Sequence, residues 1–268
     1  LGKVEDISIR LSGMTGRVHN KMDRCRIIVL CADNGVVAEG VACAPQSVTL
    51  AQTLNLTRGK TGASCLAKHF GDEVVVVDMG VNAVIRDPKV LDRKIAMGTR
   101  DLYLEPAMTR QQALQAILVG IELADQAAAD HVTAVGVGEM GIGNTTTSSA
   151  VLCALTGAAV ADVTGRGGGV NDEGFRRKKQ VIAAALEKHR PNAADPVDVL
   201  QKVGGFDLCA MCGVFLGCAK NRVPVVIDGF ISVVAALCAA RLCGAARDYF
   251  FASHESYEIG YQLAVKEL

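Results

Sequence analysis

The segment GEMGIGNTTT, residues 138–147, combines residue types that can bind an anion beside an acid. Gly141 and Gly143 allow the backbone to approach a ligand closely, and the start of a helix beyond them favours a phosphate or carboxylate. Glu139 would repel such an anion unless it serves another part of the substrate. The alternative is a tight strand-to-helix turn that Asn144 caps and that binds no ligand. The carboxylate favours the first interpretation.

A second glycine-rich turn, TGRGGGVNDEG, spans residues 164–174 and is followed by four consecutive basic residues. Its backbone amides, including that of Gly167, are candidate donors to a phosphate, and Lys178 could reach the same phosphate as a point charge. The alternative is a flexible surface loop that leads into a solvated basic helix. Both interpretations remain open from the residues alone.

The elements that must position these residues alternate along the chain, with short β-branched runs between longer segments of helical periodicity. This alternation predicts an α/β fold, in which a parallel sheet is flanked by helices. Most strand segments are apolar throughout, which is typical of strands covered on both faces. The predicted strands are 27–32, 73–79, 132–137, 223–227 and 249–252. The predicted helices are 45–58, 62–70, 109–129, 144–156, 173–189, 207–221 and 230–242.

Four of the five predicted strands are followed by an acid. The carboxyl ends of parallel strands share one edge of the sheet, and ligands bind beyond that edge. Any one of these acids is more often a turn or cap residue. Four together favour a ligand with hydroxyls or a developing positive charge, such as a ribose or a glycosyl cation. The residues are Asp33 with its neighbour Asn34, Asp78, Glu139 and Asp228.

Composition and missing motifs exclude several classes of function. The 268 residues carry formal net charge +0, which favours a small metabolite over nucleic acid or an anionic membrane. No apolar run has membrane-spanning length, and we expect a cytoplasmic protein. The sequence contains neither the loop motif GxxxxGK(S/T), which binds nucleoside triphosphates, nor a complete dinucleotide-binding motif GxGxxG. Cys209 and Cys212 form a CxxC, but their helical surroundings favour packing over a metal site, and we expect no metal or cofactor.

The chain resembles the nicotinate-nucleotide:dimethylbenzimidazole phosphoribosyltransferase family from end to end. The matching motifs are GEMGIGNTTT, CADNGVVAEGV (31–41), RGKTGASCLA (58–67), EPAMTRQQA (105–113), KVGGFDL (202–208), VIDGFISVVAAL (226–237) and SHESYEIG (253–260). The resemblance implies transfer of phosphoribose from nicotinate mononucleotide to dimethylbenzimidazole, with inversion at C1′, without metal or cofactor. It also implies a homodimer, and a Rossmann-like large domain (26–252) beside an incomplete small helical domain made of 1–25 and 253–268.

The resemblance also implies roles for individual residues. It makes Glu139 a catalytic carboxylate, places Gly141, Lys178 and Ser256 at the substrate phosphate, and places Gln52 in the pocket for the aromatic base. We expect the remaining substrate-binding residues near the two glycine turns and the first strand. They are Asp33, Asn34, Gly143, Asn144, Thr145 and Gly167. Family members carry their general base in a segment that we expect beyond Leu268.

Two departures leave alternatives to this function. Asn34 stands where many members have His, and Ala44 stands where some have Ser, so the pocket for the aromatic base can differ. One alternative is a relative that uses another acceptor, such as a different benzimidazole, a purine or a phenol. The other is a non-catalytic nucleotide-binding subunit whose general base is supplied by a partner chain or lost altogether.

Overall fold

The structure, a computed structural model, describes residues 2–268, which form a six-stranded parallel sheet with flanking helices. The strand order is β3-β2-β1-β4-β5-β6. The predicted α/β fold is therefore confirmed. The strands are β1 (Cys25–Ala32), β2 (Glu73–Gly80), β3 (Val90–Asp92), β4 (Ala134–Met140), β5 (Val225–Ile227) and β6 (Phe250–Ala252).

The order of the strands reverses beside β1. The chain builds outward from β1 to β2 and β3, and it then returns to form β4 on the other side of β1. Leu30 in β1 pairs with Val77 of β2 and with Glu139 of β4. Ligands of open parallel sheets bind beyond the carboxyl ends of the strands at such a reversal. The end of β4 therefore lies where a ligand site is expected.

The seven predicted helices are all present, and their ends agree within two residues. The capping box at Thr109 forms as predicted, because its hydroxyl accepts from the Gln112 amide and the Gln112 side chain accepts from the Thr109 amide. The helices are α1 (Lys3–Thr15), α2 (Ser47–Thr57), α3 (Gly62–Phe70), α4 (Arg110–Ala129), α5 (Asn144–Thr156), α6 (Val160–Val163), α7 (Asp172–His189), α8 (Pro196–Val203), α9 (Phe206–Lys220), α10 (Phe230–Leu242) and α11 (Tyr261–Glu267).

The bounds of one predicted strand were wrong in a way that affects the site. The strand predicted at 132–137 begins two residues later and continues to Met140. Gly138 concealed this continuation, because glycine has low strand propensity, but β4 pairs with β1 as far as Met140. Glu139 therefore lies in the strand, where pairing with β1 fixes its backbone.

Helix α9 lies close against α4 and the sheet, and its first turn lies at the ligand-binding edge. A Cβ atom on Gly120 of α4 would lie 2.0 Å from the carbonyl oxygen of Ala210, and a Cβ atom on Gly213 would lie 2.0 Å from that of Ile117. Only glycine permits this approach. Cys209 and Cys212 are fully buried in α9, as its helical spacing predicts.

The small domain predicted at the chain ends stays a prediction. Helix α1 contacts the sheet edge through Arg10, which donates to the carbonyl oxygens of Asp248 and Phe250 and lies over the ring of Phe251. Helix α11 begins only at Tyr261. Within residues 2–268, the helices are too short or too polar for any of them to cross a membrane.

Candidate active site

The carboxylate of Glu139 is connected to a second carboxylate through one amide group. Asn144, the first residue of α5, uses its side-chain Nδ2 to donate to Glu139 Oε2 and, at 3.1 Å, to Asp207 Oδ2. Asn144 is 5% exposed and Asp207 is fully buried. The amide therefore bridges two acids at the edge where β4, α5 and α9 meet.

Asp207 occupies this position because it lies in the first turn of α9. Its Oδ1 accepts from the Leu208 amide at 2.9 Å, and the start of a helix favours a carboxylate. The side chain of Asn34 also lies close to Asp207 and favours its ionised form, which lowers its pKa. Asp207 was not among the predicted site residues, although it belongs to the KVGGFDL motif, because an acid in a first helical turn is typical of any helix start.

Both acids bind protons more tightly than free carboxylic acids do. Burial and the neighbouring charge of Asp207 raise the pKa of Glu139 to about 7, although the hydrogen bond from Asn144 opposes the shift. Burial likewise raises the pKa of Asp207 to about 6. No ion pair neutralises either carboxylate within residues 2–268. At neutral pH Glu139 can therefore accept or donate a proton.

Glu139 also lines a cavity of about 390 Å³ on the face of the sheet that carries α2 and α3. Its walls are largely apolar, with Gln52 and Leu56 of α2 on one side and Val226 of β5 on another. Gly136 and Gly138 of β4 face this cavity without side chains. A cavity of this size, with a few polar groups, is typical of a site for a small organic ligand. Gln52 and Glu139 thus line the same cavity.

Lys178 lies in a second polar cluster, on the other side of the start of α5. It is fully buried, and its Nζ donates to Thr145 Oγ1 at 2.9 Å and to the carbonyl oxygen of Gly165 at 3.1 Å. Gly167 packs against Thr145, since a Cβ atom there would lie 2.6 Å from Thr145 Oγ1. The two glycine turns therefore meet at Thr145, next to Asn144.

The charge on Lys178 is destabilised by burial. Burial lowers the pKa of Lys178 to about 8, and the carboxylate of Glu258 opposes this effect. Glu258 approaches Gly165 closely, and its Oε2 is buried without a hydrogen-bond partner within residues 2–268. A phosphate placed here would gain from the ammonium group and from the positive end of α5.

The glycines that follow β4 are required by close packing as well as by the turn. A Cβ atom on Gly141 would lie 2.5 Å from the carbonyl oxygen of Ala32 and 2.8 Å from Asp207 Oδ2. Gly143 has a φ of 92°, in the region that favours glycine. The amide of Ile142 already donates to Thr49 Oγ1 at 3.1 Å. The amide of Ile142, in the first glycine turn, is therefore already hydrogen bonded within the protein.

Other predicted residues lie at the same edge but form no hydrogen bond to Glu139. Asp33 is buried and its Oδ2 accepts from the Asn82 amide at 2.7 Å, and burial raises its pKa. Asn34 is fully buried and donates to the carbonyl oxygen of Ile142 at 3.4 Å. Ser256 lies over the end of β5, 4.0 Å from a Cβ atom built on Gly229.

Sequence reasoning also left out two residues that line the cavity. Asp228 and Ser253 follow β5 and β6, and the Ser253 amide donates to the carbonyl oxygen of Ile227 at 3.0 Å. Their positions directly after predicted strands were the available signal, and Asp228 was noted there as one of four acids. No group of three or more His, Cys, Asp or Glu residues within 2–268 could hold a metal ion.

Comparisons with known proteins identify relatives that match the whole chain. A family model described as phosphoribosyltransferase matches residues 1–268. A nicotinate-nucleotide–dimethylbenzimidazole phosphoribosyltransferase from Clostridium perfringens is 52% identical over 268 residues, which are 100% of this chain and 74% of the relative. One from Geobacter metallireducens is 45% identical over 100% of this chain and 76% of the relative.

The similarity extends to solved structures. The crystal structure of CobT from Thermus thermophilus superimposes with a TM-score of 0.95 at 40% identity, over 99% of this chain and 80% of that chain. A second crystal structure from the same organism, of a nicotinate-nucleotide–dimethylbenzimidazole phosphoribosyltransferase, gives a TM-score of 0.93 at 38% identity, over 99% of this chain and 79% of that chain. The chain therefore belongs to the nicotinate-nucleotide–dimethylbenzimidazole phosphoribosyltransferase family.

Proposed function

We propose that this protein transfers the phosphoribosyl group of nicotinate mononucleotide to 5,6-dimethylbenzimidazole. The products are α-ribazole 5′-phosphate and nicotinate, and the configuration at C1′ is inverted. Family membership supports the reaction. The observation that carries the proposal is the position of Glu139, whose carboxylate lies between an apolar cavity and the start of α5.

The donor is proposed to bind across the start of α5. Its phosphate would lie between the two glycine turns, where Lys178, Thr145 and Gly167 meet. Ser256, which follows β6 and lies near Gly229, would approach the same nucleotide from another side. The buried ammonium group and the helix start both favour a phosphate there.

The acceptor is proposed to bind in the cavity of about 390 Å³ beside Glu139. Its apolar walls suit the flat benzimidazole ring, and Gln52 supplies one polar group for orientation. The acceptor nitrogen would then face C1′ of the ribose from the side opposite to nicotinate. Holding both rings on opposite faces of one ribose accounts for inversion and supplies much of the rate acceleration.

The chemistry requires one proton acceptor. As the bond between C1′ and the pyridinium nitrogen breaks, its electron pair neutralises the pyridinium, and the ribose carries a developing positive charge. The lone pair of one acceptor nitrogen forms the new bond to C1′, and the N–H of the other nitrogen becomes acidic. We propose that Glu139 stabilises the developing positive charge, because its carboxylate lies between the apolar cavity and the start of α5. The resemblance assigns acceptance of the proton to a different residue, in a segment expected beyond position 268.

We also propose a cytoplasmic homodimer, as the resemblance implies. Large apolar side chains exposed on α1 and α3 support a partner surface, among them Val4, Ile9, Leu66 and Phe70. Light scattering coupled to size-exclusion chromatography tests the dimer directly. A monomer at the concentrations used in the assay would contradict it.

Product analysis tests the reaction. The protein is incubated with nicotinate mononucleotide and, separately, with dimethylbenzimidazole, other benzimidazoles, a purine and a phenol, and the products are separated by chromatography. We expect an α-riboside of dimethylbenzimidazole and one equivalent of nicotinate. Preferred use of another acceptor would reassign the substrate, and binding of the nucleotide without turnover of any acceptor would favour a non-catalytic subunit.

A further inference from the structure

Glu258 is a half-buried acid beside Lys178 to which the proposed reaction assigns no role. It belongs to the SHESYEIG motif, and its Oε2 is buried without a hydrogen-bond partner within residues 2–268. Its carboxylate packs so closely against Gly165 that a Cβ atom there would overlap it. The carbonyl oxygen of the same Gly165 accepts from Lys178. The unpaired acid and the buried ammonium group therefore both contact one residue of the second glycine turn.

Lys178 also has a hydrogen-bond donor to spare. An ammonium group carries three hydrogens, and within residues 2–268 Lys178 Nζ donates only to Thr145 Oγ1 and to the carbonyl oxygen of Gly165. Glu258 acts on Lys178 through its charge, yet the two side chains form no direct ion pair. A spare donor and a spare acceptor thus lie in one cluster, and a buried polar group without a partner is costly. The arrangement indicates a ligand that both accepts and donates hydrogen bonds here.

The segment that carries Glu258 is fixed close to the second glycine turn. A Cβ atom on Gly260 would lie 2.8 Å from the carbonyl oxygen of Val163 and 2.8 Å from the ring of Phe230, so only glycine fits between them. The Glu258 amide donates to Ser256 Oγ at 3.3 Å, which places both residues in one turn. The fold therefore holds the Glu258 carboxylate beside the groups that are proposed to bind the phosphate.

We propose that Glu258 binds the ribose hydroxyls of the donor nucleotide while Lys178 binds its phosphate. The inference rests on the proposed binding of nicotinate mononucleotide across the start of α5. A carboxylate near a phosphate repels it unless the acid serves another part of the same molecule. The ribose supplies that part, because its hydroxyls can donate to a carboxylate, as they do in other nucleotide sites. Glu258 therefore selects ribonucleotides over deoxyribonucleotides.

Binding of donor analogues tests this role without turnover. Calorimetry measures the affinity of the wild type for nicotinate mononucleotide and for its 2′-deoxy and 3′-deoxy forms. We expect the loss of at least one hydroxyl to weaken binding by at least about tenfold, because hydrogen bonds to charged groups are among the stronger ones. In Glu258→Ala, the preference for nicotinate mononucleotide over that deoxy form should shrink by the same factor. Glu258→Gln removes the charge at constant size and should also reduce the preference.

Glu255→Ala is the matched control, because Glu255 is an exposed acid of the same segment, and it should keep the wild-type preference. A folded Glu258→Ala protein with the wild-type preference would overturn the inference, since a merely structural role weakens all three ligands equally. Equal affinity of the wild type for all three ligands would also overturn it, whether or not the variants fold. Failure of the wild type to bind nicotinate mononucleotide would overturn the proposed function and, with it, this inference.

Discussion

The variant Glu139→Gln keeps the size of the side chain and its ability to accept from Asn144, but it removes the ionisable group. In the wild type, burial and the charge of Asp207 raise the pKa of Glu139 from 4.5 to about 7. At about 1.4 kcal/mol per pH unit, ionising Glu139 in the folded protein therefore costs about 3 kcal/mol more than in the unfolded chain.

The direction of the pH dependence follows from this raised pKa. Between pH 4.5 and about 7 the folded protein binds more protons at Glu139 than the unfolded chain does, so stability falls as pH rises through this range. The glutamine variant lacks this ionisation cost. We expect it to exceed the wild type in free energy of unfolding by about 1 kcal/mol at pH 5 and by about 3 kcal/mol at pH 8.

The same substitution should remove activity. A group that stabilises charge in the transition state contributes about 10² to 10³ in rate, so kcat for α-ribazole phosphate formation should fall by at least about a hundredfold at pH 8. Urea denaturation at both pH values and a chromatographic assay at pH 8 test the two effects on one protein. Glu122→Gln on the exposed surface of α4 is the control and should change neither. A folded Glu139→Gln variant with wild-type activity and wild-type stability at pH 8 would refute the reasoning.

Three further predictions test other parts of the site. Lys178→Met should weaken nicotinate mononucleotide binding by more than about tenfold, or 1.4 kcal/mol, whereas the control Lys179→Met should not. The affinity of the wild type should also decline above pH 8, because Lys178 loses its charge there. Calorimetry that shows equal affinity in both variants would contradict this prediction. Gly136→Val should keep the fold, because the nearest atom to a Cβ built there is Ile27 Cγ1 at 3.5 Å. The variant should raise the KM for dimethylbenzimidazole more than the KM for imidazole. An equal change in both KM values would place the acceptor elsewhere. Activity should survive prolonged treatment with a chelator, and loss of activity that one added metal restores would contradict the metal-free reaction.

The sequence by itself determined the class of fold and the residues around which the site is built. Strand and helix periods differ, so alternating segments could be recognised, and strong caps such as Thr109 marked helix ends. The glycine turn after β4 indicated an anion site beside an acid, since glycine permits conformations and approaches that other residues do not. The motifs also identified the family, because several short segments that match family motifs in the same order along the chain are specific to that family.

Only the tertiary structure decided how these residues act on one another. Short elements such as β3 exist through their pairing with β2, which local sequence does not encode. Asp207 lies 63 positions from Asn144 in the chain, and their contact depends on the packing of α9 against α4 and the sheet. The pKa of Glu139 depends on that contact and on burial, which are properties of the assembled fold and not of any segment.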